Sequence, residues 1–201
     1  MKLIAVRHGR TGENVRGFVQ GQGAGGPLDE VGKRQVRKLA ERLAGERIDI
    51  CYASELERAL ETARAVLALH PGAPLIPKEE LNEKAYGAFE GLHRDLYYGA
   101  RDQSGLPFYQ FKPEGGETHP EVRERVRKFY RALFPKHRED TVLVVSHGAV
   151  LAILYLYLLK LPFEEYYRYH VDNTAMSIFE IDAPEEVRPV LLNSTDHLRG
   201  L

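Results

Sequence analysis

Leu3-Ile4-Ala5-Val6-Arg7-His8-Gly9 and Val142-Leu143-Val144-Val145-Ser146-His147-Gly148 are two apolar runs that end in the same way, on a His-Gly pair. Short runs rich in β-branched residues, without polar alternation, predict strands buried on both faces, as in a parallel sheet. Ligands of open α/β sheets collect beyond the carboxyl ends of the strands, where both histidines fall. Two imidazoles and Arg7 at one sheet edge therefore predict a cationic, titratable site suited to chemistry on an anion.

Outward from the first run, a Gly-rich loop covers 17–27 and a helix is expected over 29–43, with Val31, Val36, Leu39, Ala40 and Leu43 on one stripe. A second strand is expected over 48–53. Ser54-Glu55-Leu56-Glu57 reads as a capping box opening the next helix, which ends near His70-Pro71-Gly72, with a short strand at Leu75-Ile76 beyond it. Over 81–118 regular periodicity fades and aromatics accumulate: Tyr86, Phe89, Tyr97, Tyr98, Phe108, Tyr109 and Phe111. Such an insertion reads as a lid or pocket wall, or as a peripheral subdomain with its own small core. A charged amphipathic helix over 121–134 precedes the second His-Gly strand. The following run, 149–159, is apolar on all sides and predicts a central buried helix. Final strands are expected over 175–181 and 187–192. The expected fold is α/β: a three-layer α/β/α sandwich with a mainly parallel central sheet, in a single domain over 1–201. The irregular insertion, about 81–120, is expected over the C-terminal edge of the sheet.

Charge is nearly balanced, 28 basic against 29 acidic residues and a net −1, which argues against a general nucleic-acid binder while permitting a positive pocket. One cysteine, Cys51, excludes an intramolecular disulfide and suits a reducing compartment; within Ile48-Asp49-Ile50-Cys51-Tyr52 it reads as a buried strand thiol. The chain enters a strand at once, without a secretory signal, and its longest apolar run falls short of the about 20 residues that span a bilayer. No membrane partner and a cytoplasmic location are expected.

Several patterns fail on context. Gly21-Gln22-Gly23-Ala24-Gly25-Gly26 satisfies G-x-G-x-x-G, but no strong strand precedes it and Pro27-Leu28 separates it from the helix. Cys-x5-Arg is not met, because Glu57 stands six residues after Cys51. Neither H-E-x-x-H nor H-x-H occurs, and no metal is expected. His70, His93 and His137 are expected in solvated positions.

The chemistry concentrates in Arg7-His8-Gly9-Arg10-Thr11-Gly12-Glu13-Asn14. The planar fork of arginine matches phosphate oxygens. Gly9 removes a side chain where a ligand would crowd the backbone, and Thr11 and Asn14 add neutral donors. A neutral imidazole among cations is equipped to attack phosphorus.

Arg7-His8-Gly9-x-Thr11 resembles the signature of the histidine phosphatase superfamily, which includes cofactor-dependent phosphoglycerate mutases. Four further segments are similar to that family in order. They are Pro27-Leu28-Asp29-Glu30-x-Gly32-x-x-Gln35, Tyr52-Ala53-Ser54-x-Leu56-x-Arg58-Ala59-x-x-Thr62-Ala63, Leu81-Asn82-Glu83-Lys84-x-Tyr86-Gly87-x-x-Glu90-Gly91, and Ser146-His147-Gly148. The resemblance implies His8 as a nucleophile forming a phosphohistidine, with Arg7, Arg58 and His147 stabilising the equatorial oxygens. Asn14, Gln20, Gly21 and Gly148 would complete the cradle, with Thr11, Arg10 and Tyr86 as further substrate contacts. Glu83 would protonate the leaving oxygen; Glu79, Glu80 and Glu90 are its rivals, and the spacing to Tyr86-Gly87 and Glu90-Gly91 favours Glu83. No cofactor is implied, and the partner is a small phosphorylated metabolite. A homodimer remains open.

Loop segments resemble the narrower TIGAR-type fructose-2,6-bisphosphatases: Gln20-Gly21-Gln22-Gly23, Glu83-Lys84-x-Tyr86-Gly87, Pro113-x-Gly115-Gly116-Glu117-Thr118 and Asn193-x-x-Asp196-His197-Leu198. Arg10 departs from the usual acidic or polar residue, and it reads either as a surface charge or as a contact to a second anionic group. The resemblance implies a phosphomonoesterase, with fructose 2,6-bisphosphate as the first substrate expected. Phosphoglycerate mutase activity and a non-catalytic phosphate-binding module are the alternatives.

Overall fold

The computed structural model describes residues 1–201. Six strands form one sheet: β1 (Lys2–Arg7), β2 (Ile50–Ala53), β3 (Leu75–Pro77), β4 (Thr141–Ser146), β5 (Met176–Ala183) and β6 (Glu186–Ser194), in the order β3-β2-β4-β1-β5-β6. The first four run parallel, and β5 and β6 add antiparallel at one edge. β1 and β4 are neighbours with Arg7 opposite Ser146, so His8 and His147 leave the sheet side by side at its carboxyl edge.

The helices are α1 (Gly12–Arg16), α2 (Glu30–Leu43), α3 (Glu57–Leu67), α4 (Arg94–Gln103), α5 (His119–Leu133) and α6 (Gly148–Leu158). Alternate strand side chains enter two cores, one on each face of the sheet. Ile4, Val6, Cys51 and Val145 pack with Leu39 and Leu43 of α2 and Ala59, Ala63 and Val66 of α3. Leu3, Ala5, Val142 and Val144 pack with Val122, Val126 and Phe129 of α5 and Val150, Leu151 and Leu154 of α6. The three-layer α/β arrangement is thus as expected. α6, apolar on every side, is buried from Ala149 through Leu156 as its composition requires. Cys51 is fully buried, and burial pushes its thiol pKa up. No helix is long and apolar enough to cross a membrane.

Four local expectations are corrected. Ser54 does not cap α3: that helix starts at Glu57 behind Leu56, because the Ser54 hydroxyl is engaged by His147 and Asn82. The aperiodic insertion holds a regular helix, α4, whose exposed Leu96 and buried Tyr97 blur the sequence period. His137 is largely buried rather than solvated, bonded to the Tyr52 hydroxyl at 2.9 Å and the Asp140 carboxylate at 2.8 Å. Gly9 does not make room for a ligand. A Cβ there would lie 2.6 Å from Val36 Cγ2 and 3.0 Å from the Gly32 carbonyl, so it is the approach of α2 that requires glycine.

Gly32 meets the same constraint from the other side, since its Cβ would fall 2.0 Å from the Arg10 carbonyl oxygen and 2.8 Å from the Arg10 nitrogen. Backbone cannot rotate away as a side chain does. Gly32→Ala should therefore cost at least the ~1–3 kcal/mol typical of overpacking, read as a lower urea midpoint at unchanged m-value. An unchanged midpoint would show that α2 slides without penalty.

Candidate active site

A cavity of about 240 Å³ opens where β1 and β4 end, and Arg7, His8, Asn14, Gln20, Gly21, Arg58, Glu83, Tyr86 and Gly148 all line it. The His8 and His147 ring centroids are 5.0 Å apart, although His147 itself sits just behind the lining, fully buried. Nine of the twelve residues expected at the site thus line one hollow, and His147 abuts it.

Hydrogen bonds fix the state of His8. Its Nδ1 lies 2.7 Å from the Gly9 carbonyl oxygen, which can only accept, so Nδ1 carries the proton and Nε2 keeps a free lone pair. Burial first, and then the Arg58 and Arg7 cations, hold the His8 pKa well below 6.5. His147 is likewise driven down by burial, Arg58 and His8. Both imidazoles are neutral in the folded protein near neutral pH.

The cations are fixed by backbone carbonyls. Arg7 Nη1 donates to Val171 O at 2.6 Å, while its buried Nε has no partner and remains free for an anion. Arg58 Nη2 donates to Gly21 O at 2.8 Å and Nε to His147 Nδ1 at 3.2 Å; burial draws its pKa down to about 10. Gly148 opens α6, so the positive end of that buried helix faces the same space.

Three carboxylate rivals separate cleanly. Glu90 accepts from the backbone N–H groups of Gln22, Gly23 and Tyr86, at 3.1, 2.7 and 2.9 Å, and so ties the Gly21 loop to the segment carrying Glu83. It is a structural clamp, not a solvated carboxylate. Glu79 and Glu80 lie in a tight turn away from the cavity. Glu83 alone of the four presents its side chain to the hollow, with Oε1 accepting from Lys84 N at 2.8 Å. Behind it Arg125 of α5 holds Glu117 through two bonds and donates to the carbonyls of Glu80 and Glu83.

Two expected contacts lie off the cavity. Arg10 turns away to pair with Asp29 at 2.9 Å, the residue that caps α2. Thr11 is fully buried and caps α1 in a reciprocal capping box with Asn14, with Gln20 also against its hydroxyl. Both residues shape the loop that presents Asn14. Further residues went unread in the sequence. Asn173 Nδ2 donates to His8 O at 3.0 Å and to Asn14 Oδ1 at 3.2 Å. Tyr166, Tyr167, His170 and Val171 form a cavity wall; their only sequence signal is a cluster of aromatics after the buried helix. Lys84 is fully buried with Nζ 4.3 Å from the Tyr86 ring centroid and without a hydrogen-bond partner, and burial lowers its pKa to about 8.

A larger groove, about 720 Å³, lies between α5, the end of α6 and the β5–β6 turn, but no His, Cys, Ser or Thr lines it. The chemistry belongs to the smaller hollow. No cluster of three His, Cys, Asp or Glu side chains is placed to hold a metal ion.

Residues 3–195 match the histidine phosphatase superfamily, branch 1. The chain is 34% identical over 187 residues to the adenosylcobalamin/alpha-ribazole phosphatase of Escherichia coli, covering 90% of this chain and 91% of that protein. It is 32% identical over 195 residues to a 2,3-bisphosphoglycerate-dependent phosphoglycerate mutase of Brucella melitensis, covering 92% and 94%. The crystal structure of the alpha-ribazole phosphatase from Shigella flexneri superposes with a TM-score of 0.86 at 32% identity, covering 97% of each chain. With this match running nearly end to end over a paired-histidine hollow, the chain belongs to the histidine phosphatase superfamily, branch 1, and is a phosphatase of that type.

Proposed function

We propose that the protein hydrolyses phosphate monoesters in two steps through a phosphohistidine on His8, with no metal in the reaction. The observation that carries this reading is the free Nε2 lone pair of a neutral, immobilised His8 in a hollow walled by Arg7, Arg58 and Glu83. Nε2 attacks phosphorus, the P–O bond to the leaving group breaks, and Glu83 gives its proton to the departing oxygen. Water then attacks phosphorus, Glu83 takes its proton back from that water, and the P–N bond breaks with its electron pair returning to Nε2, which releases inorganic phosphate and restores neutral His8. Arg7, Arg58 and the start of α6 face the charge that spreads over the equatorial oxygens.

Beyond the phosphate end the lining changes character. Phe18, Tyr86, Tyr97, Tyr98, Tyr166 and Tyr167 dominate, and Arg94 and His170 are the only cationic or titratable basic groups there. This composition supports a leaving group with a flat or apolar body over one bearing a second phosphate. Fructose 2,6-bisphosphate would have to place its second phosphate on Arg94 and His170. A phosphoglycerate mutase would need the same pair for a carboxylate.

A phosphate-release panel tests these alternatives together: nucleoside and aromatic monophosphates, phosphoserine, fructose 2,6-bisphosphate, and 3-phosphoglycerate with 2,3-bisphosphoglycerate. The expected result is free phosphate, with kcat/KM highest for single-phosphate esters with apolar leaving groups. Isomerised phosphoglycerate without free phosphate would establish a mutase, and preference for the bisphosphate would restore the narrower reading. Release that stops with a chelator and returns with added metal would overturn the metal-independent mechanism.

A further inference from the structure

Ser54 and Asn82 lie outside the cavity lining, yet a continuous chain of hydrogen bonds runs from them to the phosphate end. His147 Nε2 lies 2.7 Å from Ser54 Oγ, Ser54 Oγ lies 2.9 Å from Asn82 Oδ1, and Arg58 Nε lies 3.2 Å from His147 Nδ1. All three of Ser54, Asn82 and His147 are buried, at 0%, 6% and 0% exposure, so no water competes for these bonds.

The protons in this chain can be placed one by one. The Glu55 N–H can only donate, and its acceptor at 2.9 Å is the Asn82 oxygen; this sets the amide so that Oδ1 faces Ser54. An amide oxygen can only accept, so the single Ser54 proton points at Asn82. The Ser54 oxygen is left as an acceptor, filled from one side by Leu56 N–H at 3.2 Å and from the other by His147 Nε2–H. At the opposite edge of the ring, the Arg58 guanidinium can only donate, so Nδ1 is the acceptor. Two independent lines of bonding thus give the same tautomer.

Resting on the phosphatase reading above, we propose that Ser54, oriented by Asn82, is a positioning residue that locks the His147 proton onto Nε2. Only Nδ1, the edge shared with Arg58 beside His8, is then left to take the proton that a phosphate monoanion brings into the hollow, as the Arg58 Nε–H turns from Nδ1 to the phosphoryl oxygens. His147 meets the developing anion as an imidazolium whose outward N–H is backed by a hydroxyl that cannot take its other proton away. Asn82 directly precedes Glu83 in the chain, so the segment that presents the acid also sets the tautomer of the second histidine.

The test begins with the wild-type protein, in which nitrogen NMR of the histidine side chains reads the tautomer without any substitution. The expected spectrum has a protonated Nε2 and an imine-type Nδ1 on His147, and orthovanadate converts Nδ1 to the protonated form. A proton on Nδ1 in the free protein would overturn the proposal. Ser54→Ala should stay folded with a melting temperature lowered by a few degrees, because two N–H groups lose their acceptor. It should weaken the preference for the Nε2 tautomer to the hold of Arg58 alone and lower kcat by about 10–100-fold, the scale for losing a group that orients an imidazole. Ser54→Thr should restore both tautomer and rate. A folded Ser54→Ala protein with the wild-type tautomer and wild-type kcat would equally overturn it. The NMR result does not depend on turnover. Failure of the phosphatase reading would appear instead as no phosphate release by the wild type, whatever its tautomer.

Discussion

Replacing His8 by alanine is expected to abolish phosphate release and to leave the protein unlabelled by a radioactive phosphate donor. The expected loss is on the order of 10⁶-fold, the scale found when a covalent nucleophile is removed from an otherwise intact site. No neighbour can substitute for it: His147 is fully buried behind the lining, with both ring nitrogens engaged by Arg58 and Ser54. Wild-type labelling should be acid-labile and alkali-stable, as expected of a phosphoramidate bond rather than a serine ester. The nucleophile should also remain neutral well into acid, because burial and two arginines hold its pKa far below 6.5. Stability runs the other way. Below about pH 6.5 an unfolded chain protonates the imidazoles of His8 and His147 while the folded chain does not, so acid progressively favours unfolding. His8→Ala should remove part of that pH slope, read by urea titration at pH 7 and pH 5. Persisting turnover or labelling in His8→Ala would end the assignment of His8 as nucleophile.

How much of this was legible depended on whether a residue's role is local. β1 and β4 were readable because a doubly buried strand must be apolar throughout, and both runs stop at a histidine. α2 and α5 were readable from their one-sided apolar stripes. Side-chain direction was another matter. Arg10 and Thr11 stand next to the nucleophile in sequence, yet one is drawn to Asp29 and the other into a helix cap. Ser54 shows the reverse error, since its spacing to Glu57 satisfies a capping pattern while its hydroxyl belongs to His147. The wall formed by Tyr166, Tyr167 and His170 has no period at all; it reaches the cavity because α6 ends where it does. Motif spacing favours Glu83 over Glu90 as the acid, but the clamp role of Glu90 has no sequence signal, because the three amides it gathers come from separate loops.

Glu83→Gln should divide substrates by leaving group. In the first step the P–O bond breaks as the departing oxygen takes a proton, and an alkoxide cannot leave readily without one. An alkyl phosphate such as glycerol phosphate should therefore lose about 10²–10⁴-fold in kcat/KM, the range for general acid catalysis. The leaving oxygen of 4-nitrophenyl phosphate carries its charge without a proton, so kcat/KM for that ester should change little. The second step has no such escape, because water must still lose a proton as it attacks the phosphohistidine. The variant should therefore show a burst of nitrophenol, then a low kcat, with labelled His8 accumulating. Glutamine keeps the amide oxygen that can accept from Lys84 N, and Arg125 still holds the Glu83 carbonyl, so the segment should stay in place. Glu90→Gln serves as the contrast: a loosened loop would slow every ester alike, with no burst. If Glu83→Gln lowered kcat/KM equally for alkyl and nitrophenyl esters, its carboxyl would be holding the loop rather than moving the proton.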